Sequence, residues 1–213
     1  HLELVKHLLQ AKTNLEAGNE DNGRPLHVAP LTGHLELVKH LLQAKANLEA
    51  EDSNKWRPLH FACLEGHVEV VAILLEAKAN REAETDEQQR PLHLAAWFGH
   101  LEVAKHLVQA KANLEAENSV KQRPLHQAAS FGHLEVVMHL VQAKAKLEAE
   151  NKETNRPLHL AASRGHLEVV KHLVQATAQL NPISKKRGTP LKLAKRRGHT
   201  HVVAFLKAHG ATK

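Results

Sequence analysis

A period of 33 residues runs through the chain without one insertion or deletion, and it constrains the fold more than any other feature. Arg24-Pro25-Leu26-His27 recurs as Arg57-Pro58-Leu59-His60, Arg90-Pro91-Leu92-His93, Arg123-Pro124-Leu125-His126 and Arg156-Pro157-Leu158-His159, with an altered sixth copy at Thr189-Pro190-Leu191-Lys192. Gly-His keeps the same step at Gly33-His34, Gly66-His67, Gly99-His100, Gly132-His133, Gly165-His166 and Gly198-His199. Two motifs held in register over six copies exclude coincidence. A unit this short cannot bury its own apolar face, so the copies must stack on one another.

Each unit reads as two short helices and a polar connector. Proline after Arg suits the first turn of a helix, where an N–H is not needed. A run such as Pro91-Leu92-His93-Leu94-Ala95-Ala96 supplies the first helix, and Gly99 ends it, since glycine accepts the left-handed conformation. Leu101 to Val108 carries apolar residues at helical spacing and forms the second. The polar segment from Asn113 to Gln122 then makes an extended hairpin or loop. With 3% aromatic residues and no Tyr, the core must be built from Leu, Val and Ala, which suits closely packed helices.

These motifs resemble the ankyrin-repeat family over essentially the whole chain. Residues 90–103 and 156–170 match its Thr-Pro-Leu-His-x-Ala-Ala and Gly-His-x-Glu-Val-Val pattern best. The resemblance implies an all-α ankyrin-repeat solenoid of stacked helix pairs joined by hairpin-like loops. It implies one domain over 1–213: a half repeat and connector at 1–23, full repeats from Arg24, Arg57, Arg90, Arg123 and Arg156, and a capping repeat from Thr189. It also implies a concave face lined by hairpin tips and first helices, and non-catalytic recognition of a protein or peptide. A chain that begins mid-repeat without Met reads as a fragment of something longer, so a targeting module of a larger enzyme or effector is the alternative.

The sequence departs from the family pattern at defined slots. The capping Thr before Pro is Arg in five copies and Thr only at Thr189, and losing such a cap costs about 0.5–2 kcal/mol. Lys45, Lys78, Lys111 and Lys144 stand where the family has Gly after the second helix, and Lys55, Gln88, Lys121 and Thr154 replace the hairpin Gly. These changes put the hairpin shape in doubt and leave the helices untouched. The repeated Arg offers compensation by pairing with the repeated Glu51, Glu84, Glu117 and Glu150, at about 0–1 kcal/mol for each exposed pair.

Catalysis and metal chemistry find little support. There is no nucleophile elbow, P-loop or dinucleotide fingerprint. Cys63 takes a slot that is Ala96, Ala129 and Ala162 in other copies, which makes it a packed side chain, and a single Cys excludes a disulfide framework. Most of the 19 His fall into three columns one repeat apart and do not converge as zinc ligands must. No enzyme activity, metal, cofactor or small-molecule substrate is therefore expected. The longest apolar run, near Val70 to Leu75, is far short of a membrane span. A monomer inside the cell, in the cytoplasm, is expected.

Where the copies disagree, function has room. One variable block is the hairpin tip; the other is the residue pair before each Gly-His. Together they nominate Trp56, Leu64, Glu65, Gln88, Gln89, Trp97, Phe98, Gln122, Ser130, Phe131, Ser163 and Arg164 for partner binding, centred on Trp97, Phe98 and Phe131. Charge nominates a second surface. Before residue 184 stand 23 acidic residues and 20 Lys and Arg; from there on stand nine Lys and Arg and no acid. Lys185, Lys186, Arg187, Lys195, Arg196 and Arg197 offer a polyanion-binding or acidic-surface site, a nuclear address, or a solubilising cap. Nucleic acid is the least favoured partner there, because no aromatic residue is interleaved with these charges.

Overall fold

The computed structural model describes residues 15–185 and 188–212. Residues 1–14 of the expected half repeat and connector at 1–23 lie outside them, as do Lys186 and Arg187. Among the described residues the elements are twelve α-helices: α1 Pro25–Leu31, α2 Leu35–Gln43, α3 Pro58–Glu65, α4 Val68–Glu76, α5 Pro91–Phe98, α6 Leu101–Gln109, α7 Pro124–Phe131, α8 Leu134–Gln142, α9 Pro157–Arg164, α10 Leu167–Gln175, α11 Pro190–Arg196 and α12 Thr200–Ala208. Each 33-residue copy contributes one pair, as the punctuation by Pro and Gly predicts.

The chain gathers into two compact units, His1–Ala95 with Glu102–Ala112 and Ala96–Leu101 with Asn113–Lys213. In the first, α1 packs on α3 and α2 on α4. In the second, α7 packs on α9 and α9 on α11, while α8 packs on α10 and α10 on α12. First helices thus meet first helices, and second helices meet second helices. The contact is made of columns: Leu26, Leu59, Leu92, Leu125, Leu158 and Leu191 are fully buried, and so are the small Ala29, Ala62, Ala95, Ala128, Ala161 and Ala194 that let the backbones approach.

No side chain of the Arg before proline caps these helices; the Pro-Leu-His histidine instead reaches back to that residue's own N–H, the reciprocal half of a capping box. At α3 the Arg57 N–H donates to His60 Nδ1 at 2.9 Å, and His60 Nε2–H donates to the Ala83 carbonyl at 3.0 Å. His159 does the same with Arg156 N–H and the Pro182 carbonyl. Both ring nitrogens are used, which fixes one neutral tautomer. Burial pushes His60 down to about 4, and it lowers His159 as well.

The arginine–glutamate ladder forms, with a second carboxylate that the sequence reading passes over. Arg57 Nη2 meets Glu51 at 2.8 Å while its Nη1 meets Glu49 at 2.5 Å. Arg90 forks onto Glu82 and Glu84, Arg123 onto Glu115 and Glu117, and Arg156 onto Glu148 and Glu150. The other oxygen of Glu49 accepts the Asn80 N–H at 2.8 Å, that of Glu115 accepts Lys146, and that of Glu148 accepts Gln179. One glutamate therefore joins its own connector to the next.

The hairpins close without their glycines. Lys55, Gln88, Lys121 and Thr154 adopt φ between 55° and 60°. The tip N–H groups go to side chains: Asp52 Oδ1 accepts from Asn54 and Trp56, Asn118 Oδ1 from Val120 and Gln122, and Asn151 Oδ1 from Glu153 and Asn155. Five of the six described second helices likewise end left-handed on non-glycine residues, and only α12 ends on a glycine, Gly210. Thr177 has φ 72°; its N–H donates to the Val174 carbonyl, and the Ala178 N–H donates to Leu173. That is a Schellman closure carried by a β-branched residue, and the left-handed region costs an L-residue about 1–2 kcal/mol. Thr177→Gly is therefore expected to raise stability by about 1 kcal/mol, read as a higher denaturant midpoint with an unchanged slope. A lowered midpoint would show that the threonine carries a compensating contact.

Candidate functional site

The aromatic residues at the helix ends separate into two groups, one in each unit. Trp97 and Phe98 close α5, and Phe131 closes α7. The ring centroids of Trp97 and Phe98 are 5.7 Å apart at 16°, and those of Trp97 and Phe131 are 5.4 Å apart at 26°. Trp97 is half-buried between its neighbours, while Phe98 is 45% and Phe131 38% exposed. The stack continues to His100 beside Phe98 and to His133 beside Phe131. On its other side the Arg164 guanidinium lies 4.6 Å from the Phe131 centroid, in cation–π contact.

Backbone contacts hold this array still. His133 Nε2–H donates to the Trp97 carbonyl at 2.8 Å. His166 Nε2–H and Arg164 Nη1 both donate to the Ser130 carbonyl, at 3.0 and 2.9 Å. The Gly-His histidine of one repeat thus pins the end of the preceding repeat's first helix, where α5 and α7 present their rings. Burial lowers the basicity of His166, in keeping with a neutral imidazole donating to that carbonyl.

Several expected site residues lie elsewhere. Ser130 is buried, 3% exposed, because a side chain this small sinks beneath Arg164 and His166 and leaves only its carbonyl in use. Gln89 is also buried, since its N–H and C=O close the hairpin onto Thr85. Neither side chain is open to a partner. Ser163 is half-buried, with its carbonyl taken by His199. Gln122 is half-buried and donates its N–H to Asn118 Oδ1. Trp56, Leu64, Glu65 and Gln88 belong to the other unit; Glu65 and Gln88 are exposed there, and Leu64 is half-buried. Trp56 leans on Phe61 at 5.2 Å and on His60 at 5.8 Å, both on α3.

Phe61 is half-buried and also meets His27 edge-on. Its slot is exposed at Val28 yet buried at Leu94 and Gln127, so no sequence signal marks it. On the basic repeat, Lys185, Lys195, Arg196 and Arg197 are all exposed.

No group of three or more His, Cys, Asp or Glu able to hold a metal ion occurs among the described residues. Most of the described histidines bond backbone carbonyls, as His27, His60, His133, His159, His166 and His199 do. Cys63 is buried, and burial pushes its thiol up, away from the thiolate that nucleophilic chemistry needs. No helix among the described residues is long and apolar enough to cross a membrane.

A comparison with curated proteins finds no match. The family model for ankyrin repeats (three copies) matches residues 1–85, 26–118, 92–184 and 125–213, successive matches overlapping until every residue is reached. Ankyrin repeats are generally protein–protein interaction modules and typically non-catalytic. With the helix pairs, the 33-residue register and these matches in agreement, the chain belongs to the ankyrin-repeat family.

Proposed function

We propose that this chain is a non-catalytic module that binds a protein or peptide on the surface formed by Trp97, Phe98 and Phe131, with Arg164 at its edge. The observation that carries this reading is the exposure of two stacked phenylalanines on a tryptophan, in a slot that holds Thr32, Glu65, Arg164 and Arg197 in the other copies. Rigid aromatic side chains at the centre of an interface commonly lose 2 kcal/mol or more when truncated. A surface already held by the His133 and His166 hydrogen bonds loses little entropy on binding.

The test is affinity capture from cell lysate at low and high salt, comparing the unmodified chain with the Trp97→Ala, Phe98→Ala, Phe131→Ala variant. Proteins retained by the first at both salt concentrations should fall by at least about tenfold with the second. Capture that ignores the three substitutions and disappears with salt or nuclease would instead assign binding to Lys185, Lys195, Arg196 and Arg197.

A further inference from the structure

One slot, the last before each Gly-His, reads Phe98, Phe131, Arg164 and Arg197 in the unit that carries the aromatic surface. All four side chains are exposed. Phe98 and Phe131 both stack on Trp97, and Arg164 lies over Phe131. Arg197 follows one repeat on, just past the end of α11, which packs on α9. The slot therefore turns from apolar to cationic halfway along its length.

These cations differ from the other arginines of the repeats. Arg57, Arg90, Arg123 and Arg156 each hold two carboxylates. No carboxylate pairs with Arg164 or Arg197 among the described residues, nor with Arg196 beside them, and there is no acidic residue after Glu168 to supply one. An arginine fork matches a carboxylate, and here that carboxylate must come from outside.

The spacing selects the backbone of the partner. Packed helices lie about 8–10 Å apart, so the backbone positions of the slots recur at about that step, with the Arg164 side chain reaching back over Phe131. A polyproline-II segment rises about 3.1 Å per residue with three residues per turn, which puts residues i, i+3, i+6 and i+9 on one face about 9 Å apart. A β-strand fails, because its side chains alternate and residues i and i+3 face opposite ways. An α-helix puts same-face residues about 5–6 Å apart at i+3 or i+4 and about 10.5 Å apart at i+7, and its face drifts by about 20° per heptad, so it follows the four slots less well. Single-stranded nucleic acid alternates base and phosphate at every nucleotide, whereas here the aromatics and the cations are segregated.

Resting on the proposed partner-binding role of this surface, we infer that its ligand is an extended polyproline-II segment of a protein with two apolar side chains three residues apart, continued at the same step by two carboxylates. The apolar pair sits over Phe98 and Phe131, and the acidic pair over Arg164 and Arg197.

The probe is a fluorescent peptide, Leu-Pro-Pro-Leu-Pro-Pro-Glu-Pro-Pro-Glu, together with its reversed sequence, read by anisotropy against the full chain at about 0.15 M salt. One of the two orders should bind, and replacing both Glu with Gln should weaken it by about tenfold. The Arg164→Glu, Arg197→Glu variant should lose the Glu peptide to a similar extent and gain a peptide carrying Lys in those places. Both positions are exposed, and circular dichroism checks that the variants fold. Equal binding of the Glu and Gln peptides overturns the inference, while sensitivity to Phe98→Ser, Phe131→Ser preserves the aromatic surface as a binding site. Binding that ignores those two substitutions sinks both. No binding of either order at about 1 mM also overturns the inference. So does a homopolymeric RNA that binds the same residues more tightly than either peptide.

Discussion

Gly132→Ala is expected to destabilise the protein by about 3 kcal/mol, whereas the same change at Gly198 costs about 1 kcal/mol. Both glycines sit in the left-handed region, at φ 80° and 77°, so alanine pays the same backbone penalty at each. What differs is the neighbour. A Cβ on Gly132 would lie 2.5 Å from Nδ1 of His166, whose ring is held in place by its hydrogen bond to the Ser130 carbonyl. A Cβ on Gly198 meets nothing within 4 Å. Alanine at 132 must therefore push the imidazole off its seat and break the bond joining two repeats. Denaturant unfolding of the two variants measures the difference directly. Equal losses would show that the ring yields freely and that the histidine contributes nothing to stacking. Adding His166→Ala to Gly132→Ala supplies the cycle: the steric part should vanish and only the backbone part remain.

That seat also shows how far sequence carries. The helix pairs and their boundaries are legible, because Pro starts each first helix, Gly ends it, and the period never slips. The hairpins are not, because reading glycine as the only route to a positive φ makes Lys55 and Lys121 look disruptive. The turns instead rest on Asp52, Asn118 and Asn151, short side chains whose hydrogen bonds appear only once the loop is closed. The ladder is half legible: Glu51 and its equivalents are spaced to reach Arg, while Glu49 matters through a backbone N–H that lies 31 residues further on. At the candidate site, disagreement among the copies picks out Trp97, Phe98 and Phe131. It also picks out Ser130 and Gln89, since variability does not reveal whether a neighbouring repeat covers the side chain.

Lowering the pH from 7.5 to 5 is expected to cost about 2 kcal/mol of stability through His60 alone, rising to about 3 kcal/mol below pH 4. In the unfolded chain this imidazole takes up a proton near its ordinary 6.5; in the fold it does so only near 4. Between those values the unfolded state holds more protons, so stability climbs with pH there. The contribution is complete above 6.5 and gone below 4. Geometry gives the cause besides burial: a proton on Nδ1 would face the Arg57 N–H, while Nε2 already donates to Ala83, leaving two donors opposed inside the stack. His159, with the same pair of bonds and a lowered basicity, adds to the slope in the same direction. Thermal melts between pH 7.5 and 5 test this. His60→Gln should melt lower at pH 7.5 yet lose less on acidification than the unmodified chain. Identical slopes for the two proteins would mean that His60 accepts its proton inside the fold, and that the Arg57–His60–Ala83 bridge does not require a neutral ring.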